Sequence, residues 1–165
     1  MRYIFVLIAC LCVNSLLPLF LGVDGKTESL PATVTALLDS SSEFTLYSLE
    51  PAEKPEKDVS LHDWKVLGKT TVKEPAERAK LLTALKKSVG QKGDRAKCFY
   101  PRHAVSTKFE GKQIDLLICF QCGWVQVLVD GKYLPDDIET DKTAQKTLDE
   151  ILSAAKVPLA RKSQK

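Results

Sequence analysis

The sequence contains no glycine-rich phosphate loop, no GxSxG elbow and no HExxH pair. By pattern this removes nucleotide cradles, α/β-hydrolase nucleophiles and zincin-type metalloproteases from the candidate functions. It also lacks a dominant charge. Lys and Arg number 24 against 21 Asp and Glu, for a net charge of +3. That balance does not point to nucleic acid; mixed charge of this kind is a solvated surface. No internal repeat and no low-complexity segment is present, and no histidine follows Cys122 as covalent haem attachment requires.

What is present first is an apolar run. Arg2 is followed by "YIFVLIACLCVNSLLPLFLGV", with no charge until Asp24. A basic residue ahead of an apolar core is the layout of a secretory signal, and the small residues of "VDGK" place the cut after Gly25. Residues 1–25 are therefore expected to be a signal peptide. The competing reading is an uncleaved anchor, because residues 3–22 are long enough to tether the chain to a membrane. Pro18 and Asn14 favour the signal. A lipoprotein reading through Cys10 is weaker, because the apolar run continues past it. Either way the chain is expected to be exported, periplasmic or secreted, with an envelope protein as a possible partner and no nucleic acid.

Residues 26–160 then form one domain of ordinary size, and 161–165 a basic disordered tail. "PATVTALLDSSS" predicts a helix, with Pro31 in its first turn and Val34, Leu37 and Leu38 on one side. "EFTLYSLEP" alternates as a strand. "EPAEKPEKDVS" is a charged loop. "DWKVLGKTTV" is a second strand, with Gly68 marking a bulge. "EPAERAKLLTALKKSVG" is the clearest helix: Leu81, Leu82, Leu85 and Val89 make its apolar stripe, and Gly90 stops it. "AVSTKF" and "KQIDLLICF" form a hairpin turning at "EGK", "WVQVLV" follows, and Asp130–Gly131 turns the chain again. A last helix runs over 140–157, capped by Asp141 or Thr140. This order has no βαβ alternation. It predicts an α+β domain with a mostly antiparallel sheet and helices packed on one face. "IDLLICF" is apolar on both sides, so it is expected to be a central strand, with Asp115 the one charge inside it.

Five cysteines occur, and Cys10 and Cys12 fall in the signal. The remaining three, Cys98, Cys119 and Cys122, are an odd number for an exported chain. Together with His103 they fall within 25 positions. The "EGK" hairpin sets His103 opposite Phe120 and Pro101 opposite Cys122, so "CFYPRH" and "CFQC" are expected at one end of the sheet. Three chemistries compete there. The first is zinc held by Cys98, His103, Cys119 and Cys122: "CFQCG" has the form of a metal knuckle, and three thiolates with one imidazole suit a tetrahedral site. The second is a disulfide from Cys98 to Cys119 or Cys122, the usual use of cysteine in an oxidising compartment, contributing on the order of 3 kcal/mol across about 20 residues. The third is a thiol redox enzyme, with Cys98 as nucleophile, His103 or Arg102 tuning it, and the CxxC resolving. Arg95 and Lys97 add to the positive setting of Cys98. A thioredoxin-like site is disfavoured, because "GWVQVLV" after Cys122 is a strand and not an activating helix.

At "CFYPRH" and "DLLICFQC", together with "FTLYSLEP" and "KVLGKT", the chain resembles a family of small bacterial exported proteins of no established function. The family pattern is CFxPRH followed by DLxICFxC. The resemblance implies that these motifs act together and that Arg102 and Asp115 belong to the same site. It supplies no activity. The family often carries glycine after the histidine, where this chain has Ala104.

Overall fold

The computed structural model describes residues 29–54 and 59–161. The expected signal or anchor segment, and residues 162–165 of the basic tail, lie outside the described residues. Among those described, no helix is long and apolar enough to cross a membrane.

Among the described residues, three helices and eight strands follow one another as α1 (Ala32–Ser40), β1 (Phe44–Glu50), β2 (Ser60–Leu61), β3 (Trp64–Val72), α2 (Pro75–Ser88), β4 (His103–Phe109), β5 (Lys112–Cys119), β6 (Trp124–Val129), β7 (Lys132–Tyr133), β8 (Ile138–Glu139) and α3 (Gln145–Ala154). All strands belong to one antiparallel sheet in the order β2-β3-β1-β4-β5-β6-β7, with β8 also on β6. This is the α+β architecture that the sequence predicts, with β4 in the middle of the strand order and β5 beside it, paired on both edges.

Alternation within each strand divides the sheet into two apolar faces. Phe44, Leu46, Val105, Ile114, Leu116, Ile118, Val125 and Val127 point to one face, where Val34 and Leu38 of α1, Leu81 and Leu85 of α2, and Leu148, Ile151 and Leu152 of α3 cover them. Full burial stabilises by about 2 kcal/mol for each leucine of this kind, so the three helices are held chiefly by their stripes. The second face carries a smaller cluster. Leu49, Ala104, Leu117 and Leu128 lie there under Tyr47, Leu61, Trp64, Val66 and Phe99. Among the described residues no helix packs on that face. The sheet curls, so that the β2–β3 turn from one edge approaches β7 at the other. Tyr133 of β7 accordingly has its pKa raised, first by burial and then by the nearby charge of Asp63.

Local details follow from residue chemistry. The β3 bulge falls at Leu67, beside Gly68, where the register steps from Ser48↔Gly68 to Leu49↔Val66. The β4–β5 turn needs two residues, not three: Glu110 and Gly111 both take left-handed backbone, at φ 49° and 83°. His103 consequently pairs with Ile118 instead of Phe120. The slip is two residues, so every side chain stays on its expected face. The last helix starts later than the expected residue 140. Thr140 instead bridges to Val89, and Ser88 binds both Thr140 and Asp141 through its hydroxyl. These contacts hold residues 140–141 extended. Asp141 does not cap α3 directly; it accepts hydrogen bonds from the backbone N–H and hydroxyl of Thr143 in the turn ahead of the helix. Arg161, the first residue of the expected tail, is described and reaches Glu50 through its backbone N–H and Glu53 through its guanidinium.

Candidate functional site

The CxxC motif occupies the β5–β6 turn. Cys119 ends β5 and Cys122 precedes Gly123, so the two thiols face each other across a tight reverse turn. Their Cα atoms are 5.2 Å apart, and the sulfurs are joined as a disulfide. The backbone N–H groups of Cys122 and Gly123 both donate to the Cys119 carbonyl, at 3.2 and 2.9 Å. Gly123 is required there for two reasons. Its φ is +73°, and a Cβ would stand 2.9 Å from the Asp94 carbonyl oxygen. The glycine that suggests a metal knuckle in the sequence thus serves a disulfide-closed turn.

The irregular segment before β4 runs alongside this turn and is fastened to it. Ala96 donates its N–H to the Cys122 carbonyl at 2.9 Å, and Tyr100 donates its N–H to Cys122 Sγ at 3.3 Å. The Trp124 indole donates to the Ala96 carbonyl at 2.7 Å. The hairpin register therefore does bring "CFYPRH" beside "CFQC". The four expected ligands do not converge, however. Cys119 and Cys122 are bonded to each other and almost fully buried, while Cys98 is exposed and free. The expected bridge from Cys98 to one of the CxxC pair is replaced by the bridge within the pair. The reason is register: the turn presents Cys119 and Cys122 to each other, and Cys98 sits on a loop whose side chain faces solvent.

His103 belongs to neither thiol. Its alternation on β4 sends the ring under the helices, where Nε2 lies 2.7 Å from Asp149 Oδ1 of α3. The ring packs edge-on to Phe120, with centroids 5.4 Å apart. His103 Nδ1 and Arg102 Nε are buried with no hydrogen-bond partner among the described residues. Both residues line a cavity of about 10 Å³ with Tyr100, Cys119 and Phe120. That is the scale of a single water molecule, too small for a substrate or cofactor. Among the described residues no group of three or more His, Cys, Asp or Glu side chains is placed to hold a metal ion. Of the cations near Cys98 in sequence, Arg95 is used elsewhere: its guanidinium stacks 3.6 Å over the Trp124 ring and pairs with Glu139.

Asp115 lies apart from these residues. It is on the second face of β5, opposite the helices, and is buried. Its carboxylate is saturated with donors. Ser106 and Gln113 donate to Oδ1, and His62 Nε2 lies 2.8 Å from Oδ2. Tyr47 adjoins the same network. Its pKa is raised, mainly by burial and further by the charge of Asp115, against a hydrogen bond with Ser106 that lowers it. The structure therefore joins Arg102 to the surroundings of His103 and Cys119, and separates Asp115 from them. His62 is the partner that sequence reasoning missed. It occupies the β2–β3 turn beside Asp63, and both take left-handed backbone, at φ 47° and 68°. Two-residue hairpin turns demand that conformation, and asparagine or glycine usually provides it. Histidine and aspartate are among the side chains that tolerate left-handed backbone, and "LHDW" is the signal of this turn in the sequence. Ala104, by contrast, pairs regularly with Tyr47 and Leu117, so a glycine's backbone freedom is not needed after His103.

Comparison with known proteins finds no matching family model, no matching curated protein and no matching solved structure.

Proposed function

We propose that this chain is an exported α+β binding protein, without catalytic activity, in which the CxxC serves structure. The apolar run after Arg2 supports export, and a structural disulfide is the expected use of cysteine there. The observation that carries the reading is the burial of the Cys119–Cys122 bridge inside a hydrogen-bonded turn. A resolving pair in a redox enzyme must meet thiols from outside, and both sulfurs here are enclosed. A zinc role would need that bridge open and Cys98 turned inward. The mature chain starts at Lys26 in this reading, and an envelope protein is the natural class of partner.

One observation favours the redox alternative. Cys98 lies on a loop fastened to Cys122 on both sides, through Ala96 and Tyr100. A Cys98 thiolate attacking Cys122 Sγ would form a Cys98–Cys122 bond and release Cys119 as thiolate. Expressing the full chain in a host with a secretory pathway tests both readings. Intact mass is expected to match cleavage after Gly25, and a dithiol-dependent reductase assay is expected to show no turnover. Turnover that disappears in Cys98→Ser would replace the binding reading with the redox one. A product that stays in the cytosol at full length would remove export.

A further inference from the structure

The molecule has a second recess, remote from the disulfide. β7 and β8 pair with opposite ends of β6, Leu128↔Tyr133 at one and Val125↔Ile138 at the other. The chain between them, "LPDD", must leave the sheet as an arch. Pro135 has no N–H to give to a ladder, which keeps this edge open, while Leu134 is pinned by its N–H to the Val127 carbonyl at 2.8 Å. Between the arch and the start of α1 lies a cavity of about 440 Å³. This falls in the range of small-ligand pockets, about 300–1,000 Å³.

The lining is of two kinds. Val34, Leu134 and Ile138 make an apolar floor, with Pro31 exposed at its edge, and Asp136 and Asp137 are exposed at the mouth. Neither carboxylate has an ion-pair partner among the described residues. Some surface acids near the helices do: Asp39 pairs with Lys86, Glu43 with Lys73 and Glu150 with Lys80. The chain as a whole is cationic, at +3, so an acidic mouth is a local feature and not the drift of overall composition.

We propose that this groove is a binding site for a short cationic peptide segment, one apolar side chain entering the floor while a flanking Lys or Arg meets Asp136 and Asp137. The apolar floor supplies burial, and the paired carboxylates select a positive flank over a negative one. The proposal rests on the reading of the chain as a binding protein, and is independent of its thiol state and of its export.

The test is an NMR titration of the ¹⁵N-labelled purified chain with a blocked tripeptide, leucine between two lysines, and with its control, leucine between two glutamates. Amide shifts are expected at Val34, Leu134 and Ile138 with the lysine peptide. Binding is expected to weaken about tenfold in the double variant D136N/D137N, the effect of losing two exposed pairs. Both aspartates are exposed, so that variant keeps its core. Equal binding of the glutamate peptide, or shifts that avoid the groove, would overturn the proposal. So would binding that appears only after residues 26–28 are deleted, which would make the chain's own Lys26 segment the occupant. A failed titration with an intact disulfide removes the groove alone; an open disulfide with a successful titration removes only the structural role of the CxxC.

Discussion

The two histidine–aspartate pairs, one on each face of the sheet, are mirror images in burial. On the helix face the imidazole is enclosed and its carboxylate partner is open: the side chains of His103 and Asp149 are 5% and 33% exposed. On the other face the order is reversed, with His62 at 21% and Asp115 at 4%. The difference decides what each pair contributes. A buried carboxylate needs hydrogen-bond donors from the protein around it, whereas an exposed one finds them in water. Asp115 therefore organises Ser106, Gln113 and His62 around itself and ties the curled edge of the sheet to its centre, while Asp149 only orients His103.

Substitutions sharpen this contrast. The largest effect is expected for Asp115→Ala, which leaves the buried Ser106 and the half-buried Gln113 and His62 without their shared acceptor and should cost about 3 kcal/mol in chemical denaturation. A cost no greater than that of Asp149→Ala would erase the distinction between the faces. Next is the disulfide. Closing so short a loop contributes about 2 kcal/mol, less than a bridge across 20 residues, and Cys119→Ser/Cys122→Ser should lose that amount under oxidising conditions.

His62→Ala leaves Asp115 buried with two partners instead of three, at a cost of about 1.5 kcal/mol. Asp141→Asn keeps an acceptor oxygen for Thr143 and Ser88 but removes its charge, and should cost about 1 kcal/mol, the scale by which a hydrogen bond to a charged group exceeds one to a neutral group. Burial raises the Asp141 pKa, but the Thr143 and Ser88 hydrogen bonds and Lys87 outweigh it, and the net shift is downward from 3.8. A carboxyl depressed by folding stabilises fully above its unfolded pKa and loses that contribution as pH falls through the folded value. The variant's deficit should therefore be constant at neutral pH and vanish in the acid limb, below about pH 4. A deficit that grows on acidification would contradict the sign. Asp149→Ala is expected to be the mildest, about 0.5 kcal/mol.

Much of this fold is readable from local pattern. The stripe of Leu81 and Leu85, the two-sided apolarity of β5 and the bulge beside Gly68 each follow from residues within one element. The "EGK" turn was legible in position but not in length, and a two-residue slip preserved faces while moving His103 from Phe120 to Ile118. The short strands β2, β7 and β8 carry two residues each, too few to show a period. The site was legible only where neighbours in space are neighbours in sequence. "CFYPRH" meets "CFQC" through one hairpin. His62 meets Asp115 across 53 residues, and that contact depends on the curl of the whole sheet, which no local pattern encodes. The spacing of the CxxC was equally compatible with a shared metal and a shared bond. What separates them is the side from which Cys98 approaches, a property of an irregular segment without periodicity.

The claim that the CxxC is a structural disulfide is tested most directly by counting thiols. The chain is purified from an oxidising compartment without reductant, alkylated before and after unfolding, and mapped by peptide mass. The expected result is one reactive thiol in both states, assigned to Cys98, with Cys119 and Cys122 in a single linked peptide and no bound zinc. Three reactive thiols on unfolding with one equivalent of zinc, or a linked peptide containing Cys98, would contradict it.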